Sequence, residues 1–367
     1  MKDVRILRAL KGENSMQITE GKYKRLLAVS TKKGIIAAAA MDQRGSLKKA
    51  IAKARGVDPK EITSSMLSEF KTLVSKVLTP YTSAILLDPE YGLEAVKARA
   101  KGAGCILAYE LTGYDQTQPG RIPELIPYWT VKKAIEAGAD CVKILLYYTP
   151  FEKQEINAIK QAFIIRIGAE CAHYDIPFFL EFVGYDPDGG DEKGLAYAKQ
   201  KPEIVRESIR EFSKPEYLVD VLKVEIPITL QMTEGMQASK SKTDTTFAYT
   251  REEAKQHFRE CAKVTTKPFI YLSAGVSDEE FRESLSLAIE AGVPFNGVLC
   301  GRATWKEGIP HYAKGGAAAF ESWLRDRGVK NIQALNEVLE RGAQPWHARY
   351  GGLDRIQVVP HAALASR

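Results

Sequence analysis

Eight times along this chain a short apolar, β-rich run carrying or preceding a polar residue gives way to a longer stretch of helical periodicity. The runs are 35–41 before Asp42, 84–87 before Asp88, 105–109 before Glu110 and 141–147 around Lys143. They continue with 178–183 around Glu181, 219–226 around Lys223, 269–272 before Ser273 and 297–301 before Arg302. Helical patterns fill 62–78, 131–137, 154–174, 195–212, 251–264 and 278–291. Continuous apolar strands separated by helices require a parallel sheet covered on its outer face, and eight of them in 367 residues predict an α/β fold closed as a (β/α)8, or TIM, barrel. The open doubly wound alternative lacks its usual marks, since no GxGxxG follows the first run and no GxxxxGKS or GxxxxGKT occurs.

One barrel domain is expected to fill about 34–326, with an N-terminal helical cap over 1–33 and a C-terminal helix and tail over 327–367. The helix is expected at 329–341, and the aperiodic tail from Trp346 is expected on the surface or against a partner. The polar stretch 229–249, with Lys240, Lys242 and Asp244, is read as a long loop after the sixth strand, where a lid would sit.

Composition narrows the class. Hydrophobic residues at 45% and charged residues at 27% suit a folded globular chain, and no apolar window is long enough for a membrane span. The formal net charge of +6 is dispersed without a basic block, which favours small anionic ligands over nucleic acid. Cys105, Cys141, Cys171, Cys261 and Cys300 include no CxxC pair and read as reduced core thiols. With no leader-like apolar segment near Met1, the expected compartment is the cytoplasm.

Strand alternation places the candidate chemistry on one face. If Leu222 and Val224 face the helices, then Lys223 and Glu225 point inward; the same alternation turns Glu181 and Lys143 inward. A lysine enclosed by an apolar strand loses hydration, which favours the neutral amine that attacks a carbonyl. Its structural alternative is an ion pair with Glu225. Two amines and a carboxylate are costly to bury together unless used together, so Lys143 is expected to favour the neutral Lys223 by like-charge repulsion, with Glu181 as acid and base. Asp42 adds a carboxylate at the end of the first strand. Turns 272–276 and 300–302, with Ser273, Gly275, Gly301 and Arg302, offer backbone N–H groups, a hydroxyl and a guanidinium where barrels commonly bind phosphate. The five histidines form no HxH or HExxH, so no metal and no cofactor are expected.

These residues carry a resemblance. Asp42-Gln43-Arg44-Gly45, Leu87-Asp88-Pro89-Glu90-Tyr91-Gly92, Ala108-Tyr109-Glu110 and Val142-Lys143-Ile144 stand in order with Phe179-Leu180-Glu181, Leu222-Lys223-Val224, Leu272-Ser273-Ala274-Gly275 and Cys300-Gly301-Arg302. The set resembles the class I tagatose 1,6-bisphosphate aldolases of the bacterial lactose pathway. The resemblance implies that Lys223 forms a Schiff base, Glu181 moves protons, and Asp42 and Lys143 support them. It also implies that Gln43 and Arg44 help hold substrate, and that Ser273, Gly275, Gly301 and Arg302 take its phosphate. The implied reaction is metal-independent, reversible cleavage of a phosphorylated ketose to dihydroxyacetone phosphate and glyceraldehyde 3-phosphate, in a homodimer or tetramer. Fructose 1,6-bisphosphate, a sulfonated ketose phosphate, another Schiff-base barrel reaction and a non-catalytic sugar-phosphate sensor are the competing readings. Loop 229–249 is longer than is usual for the family and is where substrate choice could change.

Overall fold

A computed structural model describes residues 16–239 and 246–363. After an N-terminal strand β1 (Met16–Thr19), eight parallel strands follow: β2 (Ile36–Ala40), β3 (Ala84–Leu87), β4 (Gly104–Ala108), β5 (Cys141–Tyr147), β6 (Phe178–Val183), β7 (Val221–Val224), β8 (Phe269–Leu272) and β9 (Gly297–Cys300). They pair in sequence order, and β9 returns to β2 to close the barrel. Helices cover the outside, among them Gly45–Arg55, Ser64–Leu78, Gln154–His173, Leu195–Phe212, Arg251–Lys263 and Asp278–Glu290. Short polar side chains start several of them: Thr63 accepts from the Met66 N–H, and Thr250 and Ser277 form reciprocal boxes with Glu253 and Glu280.

The period of two in each strand makes two cores. Ala38, Leu86, Ile106, Phe179, Val221 and Ile270 pack inside the barrel, while Ile144, Leu146, Leu180 and Leu222 pack against the helices. Closure depends on one glycine. Gly297 has φ +135°, and a Cβ there would lie 2.0 Å from the Ile36 carbonyl oxygen, so only the bare backbone lets β9 meet β2.

The C-terminal tail is the expected surface segment only in part: most of 351–358 is exposed, but its start is not. Trp346 is fully buried with Leu26, Val29, Ile36, Cys141 and Val221, stoppering the N-terminal end of the barrel. Its backbone N–H donates to the Gly34 carbonyl at 2.8 Å, and the Asn296 amide donates to the Gln344 and Pro345 carbonyls. Beyond it, β10 (Ile356–Val359) pairs in parallel with β1, so a two-stranded sheet joins the two capping segments. The helix Glu20–Ala28 is fixed beneath the barrel by the Lys22–Asp220 ion pair at 2.9 Å and by the Gly21 N–H on Asp175.

The described part of 229–249 does not roof the barrel. Met236 and Tyr249 are buried, Gln231 bonds Glu280, and the Gln237 N–H donates to Glu283, which holds the segment against the helix Asp278–Glu290. Lys240, Lys242 and Asp244 lie outside the described residues.

Candidate active site

The register puts Glu181 of β6 opposite Lys223 of β7, and Lys143 of β5 opposite Ala108 of β4. All three side chains rise inside the barrel because their odd-numbered neighbours on the same strands, Phe179 and Val221, also face inward. The Lys143 ammonium is completely buried and touches three carboxylates: Asp42 Oδ2 at 2.9 Å, Glu110 Oε1 at 2.9 Å and Glu181 Oε2 at 2.8 Å. Lys223 Nζ meets the same Glu181 oxygen at 2.9 Å. One carboxylate oxygen is therefore shared by two amines.

Charge balance sets which groups hold their protons. Burial alone would push Lys143 down, but Asp42, Glu110 and Glu181 outweigh it and hold the ammonium well above its ordinary value. Burial likewise favours neutral Asp42, yet Lys143 and then Lys223 prevail and keep its carboxyl below the usual range. At Glu110 burial wins over Lys143 and Arg44, and the carboxyl is pushed up. The alternative partner for Lys223 is occupied elsewhere: Glu225 accepts from the Gly184 N–H at 2.8 Å and pairs with Lys201 at 3.5 Å.

A second buried lysine holds the end of β2. Lys71 donates to the carbonyls on either side of Asp42, those of Met41 at 2.7 Å and Gln43 at 2.8 Å, and ion-pairs with Asp88. Asp88 in turn accepts from the Glu90 and Tyr91 N–H groups. Lys71 thus fixes the backbone from which Asp42 reaches Lys143.

Lys223 and Glu181 open into a cavity of about 610 Å³, large enough for a small phosphorylated molecule. One wall carries the glycine turns after β8 and β9: Ser273, Ala274 and Gly275, then Gly301 and Arg302. Ala274 and Gly275 both have positive φ, and a Cβ on Gly275 would lie 2.8 Å from the Arg302 guanidinium carbon, so the turn makes room for that side chain. Gln43 lines the same cavity, and its Oε1 is buried without a hydrogen-bond partner among the described residues. Arg44 also borders the cavity, but its guanidinium donates to Glu90 at 2.6 Å and to the Glu110 carbonyl at 2.7 Å, so those donors serve the protein. The loop 110–123, not 229–249, supplies the opposite wall.

The structure thus brings Asp42, Lys143, Glu181 and Lys223 into one contact network and sets Gln43, Ser273, Gly275, Gly301 and Arg302 around the same cavity. Sequence reasoning gave no role to Glu110 or Lys71. Glu110 had a signal, because it ends its strand as Asp42 does. Lys71 had a fainter one: it falls on the buried stripe of Leu67, Phe70, Val74 and Leu78, where a solvated lysine would not belong. Among the described residues, no group of three or more His, Cys, Asp or Glu side chains is placed to hold a metal ion.

The chain is similar to known aldolases in sequence and in fold. The tagatose 1,6-diphosphate aldolase of Listeria monocytogenes (serotype 4a) is 50% identical over 344 residues, covering 94% of this chain and 99% of that one. A tagatose 1,6-diphosphate aldolase of Enterococcus faecalis is 52% identical over 91% of this chain and 98% of its own length. Among solved structures, fructose-bisphosphate aldolase from Plasmodium falciparum shares the fold with a TM-score of 0.62 at 12% identity, covering 90% of this chain and 99% of that one. A Schiff-base-forming fructose 1,6-bisphosphate aldolase does so with a TM-score of 0.52 at 16% identity, covering 86% and 98%. The model of the DeoC/LacD family aldolase matches residues 36–307, from the first barrel strand through the turn after the last. The chain belongs to the DeoC/LacD family of aldolases.

Proposed function

We propose that the protein is a class I, Schiff-base aldolase that reversibly cleaves D-tagatose 1,6-bisphosphate to dihydroxyacetone phosphate and D-glyceraldehyde 3-phosphate. The observation that carries this reading is the shared Glu181 oxygen, 2.9 Å from the Lys223 amine and 2.8 Å from Lys143. Lys223, as the neutral amine, adds to the C2 carbonyl of the open-chain ketose, and loss of water gives an iminium ion. Glu181 takes the C4 hydroxyl proton as the C3–C4 bond breaks, and the bonding electrons move into the iminium to form an enamine. Glyceraldehyde 3-phosphate leaves. Protonation of the enamine at C3 and hydrolysis release dihydroxyacetone phosphate and regenerate Lys223. Lys143, kept charged by its three carboxylates, holds Glu181 and Asp42 in place rather than exchanging protons itself.

The C1 phosphate is assigned to the turn of Ser273, Gly275, Gly301 and Arg302, and Gln43 supplies an amide to a substrate hydroxyl. The C4 epimer, fructose 1,6-bisphosphate, is proposed as a further substrate, because Lys223 and the phosphate turns act on C2 and the C1 phosphate, which the two sugars share. Exposed Phe151, Ile159 and Ile165 on and beside the helix Gln154–His173 support a homo-oligomer. No helix is long and apolar enough to cross a membrane among the described residues, and the cytoplasm is the proposed compartment.

The test is to incubate the protein with dihydroxyacetone phosphate, reduce with borohydride and map the adduct. A single adduct on Lys223, absent from Lys223→Met, is expected. Bound dihydroxyacetone phosphate with no lysine adduct would overturn the mechanism.

A further inference from the structure

We propose that Lys160 is a positioning residue for the loop 110–123, holding the Tyr185 hydroxyl against Gly120 and so fixing the wall that this loop presents to the cavity. The proposal rests on the aldolase reading above, since the substrate of that reaction is what meets this wall. Lys160 falls on the inward stripe of the helix Gln154–His173 with Asn157, Ile164, Ile167 and Cys171. It is completely buried, and among the described residues no carboxylate pairs with it directly. A cation kept in the interior without a direct counter-ion is costly, and a methionine would fill the same space.

The amine donates to the Tyr185 hydroxyl at 2.8 Å and lies 4.6 Å from the centre of the same ring. That hydroxyl has two further acceptors beside it, Glu152 Oε2 at 2.7 Å and the Gly120 carbonyl at 3.3 Å. Gly120 is the point at which the loop meets the helical layer. Residues 112, 113 and 115–119 are exposed, whereas Gly120 is buried. Its φ is +87°, and a Cβ there would lie 2.4 Å from Ile156, on the helix that carries Lys160. The next residue, Arg121, lines the cavity.

The direction of one hydrogen connects the amine to the loop. An ammonium only donates, so the Tyr185 oxygen accepts from it and its single O–H hydrogen turns outward to Glu152 and Gly120. A neutral amine accepts, and the same hydrogen can then turn inward, leaving the Gly120 carbonyl without its donor. Burial brings the Lys160 ammonium down to about 8, with Glu152 opposing the fall and Arg121 adding to it. Those two side chains and Tyr185 are the ionisable groups that face it among the described residues. The anchor is therefore held at neutral pH and loosens as the pH rises through about 8.

The test compares Lys160→Met and Tyr185→Phe with the parent on a ketose 1,6-bisphosphate, from about pH 7 to pH 9.5. At neutral pH, KM should rise roughly three- to tenfold in both variants with kcat within about twofold, the equivalent of one hydrogen bond. Above about pH 8 the parent's KM should climb toward the variants' value while theirs stays level; substrate ionisation is common to all three and cancels. The double variant should be no worse than either single one, because both remove the same link. Tryptic cleavage after Arg121 in the folded protein should quicken in both. A parental KM in Tyr185→Phe, KM curves parallel at every pH, or additive losses in the double variant would each overturn the proposal. If Lys160→Met does not fold, Tyr185→Phe keeps the lysine and the ring and gives the same pH and cleavage readouts. Borohydride trapping of dihydroxyacetone phosphate on Lys223 should persist in both variants. Its absence from the parent would instead defeat the aldolase reading, and the cleavage rate then decides the anchor: no change in Tyr185→Phe overturns it.

Discussion

At the scale of single residues, the proposed chemistry depends on charges that are unevenly satisfied. Lys143 is surrounded by carboxylates on three sides and stays an ammonium, whereas among the described residues Lys223 ion-pairs only with the Glu181 oxygen that Lys143 already engages. Glu181 is thus in direct contact with both amines, and replacing it should stop proton movement while leaving the proposed nucleophile in place. Glu181→Gln is expected to lower kcat by roughly 10²- to 10⁴-fold with a much smaller change in KM. Steady-state kinetics check this, and a loss of less than about tenfold would remove Glu181 from the proton-transfer step. Asp42 depends on Lys71 in a different manner. The carbonyls on either side of it are held by an ammonium that never enters the cavity, so its aim is set by backbone anchoring rather than by side-chain packing.

At the scale of elements, strand ends divide the labour. The C-terminal ends carry the proposed reacting groups, and the N-terminal ends are closed by apolar side chains and the helix Glu20–Ala28. Trp346 is the largest member of that closure, and Trp346→Ala should cost about 3–5 kcal/mol through lost transfer and a residual cavity. Urea unfolding measures the loss. Because the tryptophan lies at the opposite end of the barrel from Lys223, KM of the folded fraction should match that of the parent. The barrel was legible because each strand is a continuous apolar run with a polar terminus; the expected runs at 84–87, 141–147, 178–183 and 269–272 coincide with β3, β5, β6 and β8. The β1–β10 pair was not. Met16–Thr19 and Ile356–Val359 are four residues each and meet across nearly the whole chain, so no single crossover helix links them as a recognisable parallel unit. Lys223, Glu181, Lys143 and Asp42 stood out as charges in apolar strands or at their ends. Lys71 could not stand out so plainly, because a lysine on an amphipathic helix gains its meaning only from the strand-end carbonyls and the Asp88 it meets.

At the scale of the whole molecule, the electron sink of the proposed reaction is part of the chain itself, formed when Lys223 condenses with substrate. Dialysis against EDTA should therefore leave kcat within roughly twofold of its starting value, and added Zn²⁺ should give no stimulation. A loss restored by a divalent ion would contradict the Schiff-base reading. The closed ring also keeps every strand edge paired, so the barrel presents no open ladder to a neighbouring chain. Trp346 has a further consequence, one of timing. A polypeptide made from its N-terminus completes all eight staves before the stopper is synthesised, so each nascent barrel passes through an open-bottomed stage. During that interval Ile36, Cys141, Val221 and Ile270 face water, and the yield of native protein depends on how briefly the interval lasts.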